Sequence, residues 1–264
     1  MLTNSPSKSS TLSVIFRLLL FGIVFYLPWL CLIFLGYEKA NFSPLMIIYV
    51  SSATICIHLF IITYAITRSK ESFDFRHQLI PIPLSFLPLT IGGTFSIVFL
   101  IDPFEQLLPI SQNYQQYLTG LLQLKAYSFI AVVCVLPVLE EILFRGIILK
   151  NFLKSYSPIK AIILSSLFFA IIHFNVAQFI TGFIGGLFLG YLYWQTRSLT
   201  LCIIVHVLYN GVAYFAFHLL NSQFSIESAI SNTPVYLALY FVAAITLASC
   251  ILIIHRRGLQ STQQ

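Results

Sequence analysis

Long apolar runs, each close to the length that crosses a lipid bilayer, recur from one end of this 264-residue chain to the other. A spanning helix needs about 20 apolar residues to traverse ~30 Å of hydrocarbon. Eight stretches meet or approach that length: 14–36, 45–67, 79–101, 127–149, 159–174, 176–195, 199–220 and 234–254. Only 8% of residues are charged, 58% are hydrophobic and the mean hydropathy is +0.91, which excludes a soluble globular domain. The expected fold is all-α: a polytopic membrane helical bundle of about eight transmembrane helices. Residues 1–13 read as a polar cytoplasmic tail, 14–254 as a single multi-pass transmembrane domain, and 255–264 as a cytoplasmic C-terminal tail.

The charges between the runs fix an orientation. With eight spans, one side collects Lys8, Arg68, Lys70, Arg76, Lys150, Lys154, Lys160, Arg197, Arg256 and Arg257. The other receives mainly Glu38, Lys39, Asp102, Glu105 and Glu227. Basic loops stay in the cytoplasm, so both termini are expected there. The net charge of +6 is scattered over these loops rather than gathered in a stripe, and no nucleic-acid partner is expected. The run after Arg17 is too long for a signal-peptide core and lacks a small-residue cleavage site, so it reads as a retained span. Pro81, Pro83 and Pro88 make the start of the third run irregular, and residues 103–125, mixed in character, read as an interfacial helix. All five cysteines lie in apolar runs without CxxC spacing, as buried free thiols do. Gly182, Gly186 and Gly190 offer one small-residue face for close helix packing, with Gly185 beside them.

Against this apolar background five residues are out of place: Glu140, Glu141, His173, His206 and Asn210. Ionisable groups at membrane depth are costly and mark function. At 1.5 Å of rise per residue, Glu140 lies roughly 15 Å from the cytoplasmic end of its span and His173 roughly 20 Å deep. His206 and Asn210 lie roughly 10 and 17 Å deep. Groups from three separate runs thus reach comparable depth. Glu141 and Arg145 are four apart and share a face as an ion pair, which leaves Glu140 turned towards another. His206 and Asn210 share a face in the same way, and Phe169 sits one turn before His173. Pro137 weakens the ladder just before the carboxylates and can bend the helix. His58, His77, His218 and His255 read as structural.

A carboxylate, two imidazoles and an amide in an apolar cavity suit hydrolysis. Glu140 takes a proton from water that His173 orients, directly or through a metal, while His206 and Asn210 donate to an oxyanion. Ion or proton transport is an alternative use of the same groups.

Glu140-Glu141-x-x-x-Arg145, Phe169-x-x-x-His173 and His206-x-x-x-Asn210, in that order and in consecutive apolar runs, resemble the motifs of the CPBP family. This family comprises CAAX proteases and bacteriocin-processing (Abi) proteins, also called type II CAAX endopeptidase-like. The resemblance covers about residues 127–220, the expected catalytic core. It implies an eight-helix intramembrane endopeptidase, open towards the cytoplasm, acting on a membrane-embedded or lipidated CAAX-like peptide in the bilayer. It further implies Glu140 as general base, His173 as its partner, Glu141 and Arg145 in support, and His206 with Asn210 as the oxyanion pair. The family carries a metalloprotease label, which would make Glu140, His173 and His206 the ligands of a divalent metal such as zinc. A metal-free glutamate mechanism is equally compatible with these residues, which barely supply three good ligands. The expected location is a prokaryotic cytoplasmic membrane. Other readings are a non-proteolytic scaffold or bacteriocin-immunity protein on the same fold, and a transporter.

Overall fold

The computed structural model describes residues 42–68, 78–79, 86–108, 112–173, 175–219, 230 and 232–261. Among these residues the chain is helical with no strand, as expected of an all-α membrane bundle. The expected first span, 14–36, the basic residues Lys8, Lys70 and Arg76, and both tail ends lie outside the described residues.

The helices, in chain order, are α1 (Pro44–Arg68), α2 (Leu87–Leu107), α3 (Gln112–Gln123), α4 (residues 125–155), α5 (Pro158–Ile171), α6 (Val176–Thr196), α7 (Leu199–Leu219) and α8 (Thr233–Ser261). Five of them contain segments long and apolar enough to cross a membrane: Pro44–Thr67, Leu87–Phe104, Val176–Thr196, Leu199–Leu219 and Thr233–Arg256. The protein is an integral membrane protein.

Several boundaries differ from the expected ones, for physical reasons. The third span starts at Leu87 rather than 79 and runs through Pro103, so Asp102 lies within the helix, 5% exposed, not in a loop. Proline removes one hydrogen bond but does not end a helix packed on both sides of it. Ile101 is 2% exposed, and the Tyr240 hydroxyl donates to the Leu100 carbonyl at 3.4 Å on the turn before the proline. The segment expected to be interfacial divides: residues 103–107 continue α2, and the short amphipathic α3 begins at Gln112. The fifth run forms only the 14-residue α5, too short to span by itself. His173 therefore sits on the turn that follows α5, its backbone N–H donating to the Ala170 carbonyl at 3.2 Å.

Two local features hold the site in place. In α4, widened turns over Phe129–Val135 and Ile142–Leu149 flank a regular segment, Leu136–Glu141. The bonds Leu136 N–H to Ala131 O and Lys150 N–H to Arg145 O reach back five residues instead of four. Pro137, which has no N–H to donate, opens the regular segment between them. The second feature is the α5–α6 seam. A Cβ on Gly186 would fall 3.0 Å from Ser166 Cβ and 3.2 Å from its Cα, and one on Gly190 3.0 Å from Ile162 Cγ2. The expected small-residue face thus packs α6 directly onto α5. Helix α6 is capped by the Asn175 side chain, which accepts from the Ala177 and Gln178 N–H groups at 2.9 and 3.2 Å. It ends at Arg197 in the left-handed region (φ 54°). Cys202 and Cys250 are buried free thiols, but Cys56 is exposed on α1.

Candidate active site

Glu141 is the electrostatic centre of the bundle. It is 0% exposed, and its Oε1 accepts from Arg145 Nη1 at 2.6 Å and from His206 Nδ1 at 2.8 Å. The expected ion pair within α4 is therefore present, and α7 joins it through an imidazole. Arg145, 1% exposed, also donates from Nη2 to the Gly186 carbonyl at 3.2 Å and stacks over Phe169 with Cζ 4.7 Å from the ring centroid. One guanidinium thus ties α4 to α5 and α6.

Glu140, the neighbouring residue, is turned elsewhere. It lines a cavity of about 580 Å³ together with His173, His206 and Asn210. Glu140 Oε2 stands 3.6 Å from His206 Nε2, too long for a hydrogen bond, so among the described residues no hydrogen bond takes up its capacity to accept a proton. Because a carboxylate only accepts, His206 Nδ1 carries the proton shared with Glu141, and Nε2 is the nitrogen presented towards Glu140. His173 Nδ1 donates to the Phe169 carbonyl at 2.9 Å, which fixes its tautomer and leaves Nε2 available. The Phe169 ring meets both imidazoles edge-on, 5.0 Å from His173 and 5.7 Å from His206, and holds them apart. Asn210 Nδ2 donates to the Val132 carbonyl at 2.9 Å, in the widened part of α4, and keeps its second N–H. All six expected residues thus belong to one assembly. Glu140, His173, His206 and Asn210 line the cavity, while Glu141 and Arg145 lie behind it.

Residues 122–212 match the family model for type II CAAX prenyl endopeptidases, Rce1-like. The Rce1-like region runs from the end of α3 through most of α7 and takes in all six residues. The matched model is that of a class of proteases, so peptide hydrolysis is the activity of the family that this region resembles. No curated protein and no solved structure matches the chain.

The donor set does not fit a resident metal ion. Among the described residues no three His, Cys, Asp or Glu side chains are grouped as a metal centre requires. Glu140, His173 and His206 share the cavity without forming such a group. Two features escaped the sequence reading. The bond from His206 to Glu141 depends on how α7 packs on α4, which no spacing within a single run encodes. His58, read as structural, lines the same cavity from α1 and is 3% exposed. Its position fourteen residues into Pro44–Thr67, roughly 21 Å deep, was the available signal.

Proposed function

We propose that this protein is an intramembrane endopeptidase that hydrolyses a peptide bond of a membrane-embedded or lipidated substrate with water activated by Glu140. The observation that carries the reading is the division of labour between adjacent carboxylates: Glu141 is engaged through Oε1 by Arg145 and His206, while Glu140 lines the cavity and has no hydrogen-bond partner among the described residues.

In this reading Glu140 takes the proton from a water that also donates to His173 Nε2. The oxygen attacks the scissile carbonyl, and the developing oxyanion is met by the second N–H of Asn210 and by the Nε2–H of a doubly protonated His206, whose Nδ1–H stays on Glu141. Glu141 holds His206 in orientation and balances positive charge on its ring. The proton held by Glu140 then passes to the leaving amine, so atoms balance without a serine or cysteine nucleophile. No step runs through a metal, because the donor set does not support one. The lysine and arginine pattern supports a cavity reached from the cytoplasmic side, with both termini cytoplasmic.

The test compares membrane proteomes of cells carrying wild-type and Glu140→Gln protein. New peptide termini present with the wild type and absent with the variant are expected. Identical terminus profiles, with both proteins inserted and folded, would sink the endopeptidase reading. Solute or proton flux in proteoliposomes without cleavage would favour transport instead.

A further inference from the structure

Helix α6 carries three glycines whose packing is explained and one whose packing is not. Cβ atoms on Gly186 and Gly190 would press on Ser166 and Ile162, and one on Gly182 would touch His173 Cε1 and Nδ1 at 3.6 Å. A Cβ on Gly185 would meet nothing within 4 Å. Glycine inside a helix is unfavourable relative to alanine, and here no neighbouring helix requires it.

What Gly185 adjoins is the cavity, which it lines with Gly182 and Phe188. Residues three apart share a helix face, so Gly185 lies one step, ~4.5 Å of rise, beyond the residue that touches His173. Phe188 does not need this space, because its ring end lies against α2, where a Cβ on Gly93 would fall 2.9 Å away. From the α1 wall an independent observation also points to an occupant. His58 is 3% exposed and lines the cavity, and its Nδ1 is engaged by the Thr54 carbonyl at 2.9 Å. Among the described residues its Nε2 has no hydrogen-bond partner. An imidazole nitrogen with an open lone pair on a cavity wall matches a ligand N–H.

We propose that Gly185 is a specificity-determining residue: its missing side chain leaves the space that admits a bulky apolar substrate group beside His173, while His58 accepts a hydrogen bond from the substrate backbone. The inference rests on the endopeptidase reading. A side chain at 185 projects into the reserved space and excludes large groups before small ones.

The experiment uses full-length wild-type, Gly185→Ala, Gly185→Leu and Glu140→Gln protein in bicelles. The probes are synthetic membrane-inserted peptides, identical except for one position in the apolar segment that is Ala, Leu or Phe. Mass spectrometry gives cleavage positions and kcat/KM, and unfolding in SDS gives stability. Wild type is expected to favour Leu and Phe over Ala beside the bond cut. That preference falls by about tenfold or more in Gly185→Leu and by less in Gly185→Ala, the scale of a few methylenes in a pocket. Gly185→Ala should be at least as resistant to SDS as wild type. An unchanged preference in Gly185→Leu overturns the inference and leaves the endopeptidase reading standing, as does a destabilised Gly185→Ala, which would give the glycine a packing role. Peptides cut by wild type no more than by Glu140→Gln overturn both.

Discussion

Replacing Arg145 by methionine tests the buried pair at the centre of the bundle. The change removes a 2.6 Å bond to Glu141, a 3.2 Å bond to the Gly186 carbonyl and the stacking on Phe169. It leaves a carboxylate that is 0% exposed with His206 as its remaining partner. Removing one member of a buried pair costs about 3–5 kcal/mol, mostly because the other charge stays behind. The pairing here is through one oxygen and one nitrogen: Glu141 Oε2 and Arg145 Nε have no partner among the described residues. Without a bidentate fork the lower end, about 3 kcal/mol, is the expected loss. Glu141→Gln should cost a similar amount. The double variant buries neither charge, so it should lose about 2 kcal/mol less than the sum of the single losses. Reversible SDS unfolding in mixed micelles of the four proteins measures this. Additivity to within about 0.5 kcal/mol would show that the two groups are not coupled and refute the reasoning.

Asn210→Ala should lower kcat by about 100-fold or more if its amide stabilises the oxyanion, with KM little changed. The same variant should lose about 1–3 kcal/mol of stability, measured by unfolding, because the Val132 carbonyl loses its donor. Gly186→Ala should destabilise by about 1–3 kcal/mol, because the new methyl meets Ser166 Cα on the backbone as well as its Cβ. Gly190→Ala should cost a similar amount, since it meets the branch methyl of Ile162 at 3.0 Å, on a β-branched core side chain with little freedom to move. Chelator treatment should leave peptide cleavage unchanged, and elemental analysis of purified protein should find less than one equivalent of metal.

The apolar periods legible in the sequence mark where the helices are but not how they sit on one another. The Glu141–Arg145 pair was readable because i, i+4 geometry is local to one helix. The glycine face was readable for the same reason, and its contact with Ser166 and Ile162 was not. His206 illustrates the boundary. Its depth placed it near the carboxylates, yet which carboxylate receives which ring nitrogen follows from the packing of α7 on α4. Helix ends were least legible near Pro103 and His173. At Pro103, packing on both sides lets the helix continue. At His173, the chain has turned out of α5 after Ile171, three residues before the apolar run ends.

The widened turns in α4 carry a mechanical implication. A regular helix transmits rotation: altering the facing of one turn alters the facing of every turn after it. Segments that bond five residues back act as slip joints, so Leu136–Glu141 can hold its own angular setting independently of the helix ends on either side. The carboxylates are thereby phased to the cavity locally, while Leu149 at the end of the second widened segment and Phe152 beyond it stay buried against their own neighbours. Restoring regular turns on one side, by deleting a single residue, would shift the register by one relative to that end of the helix: a deletion in 129–135 would put Glu141 where Glu140 stood, and one in 142–149 would put Glu140 where Glu141 stood, without changing either side chain.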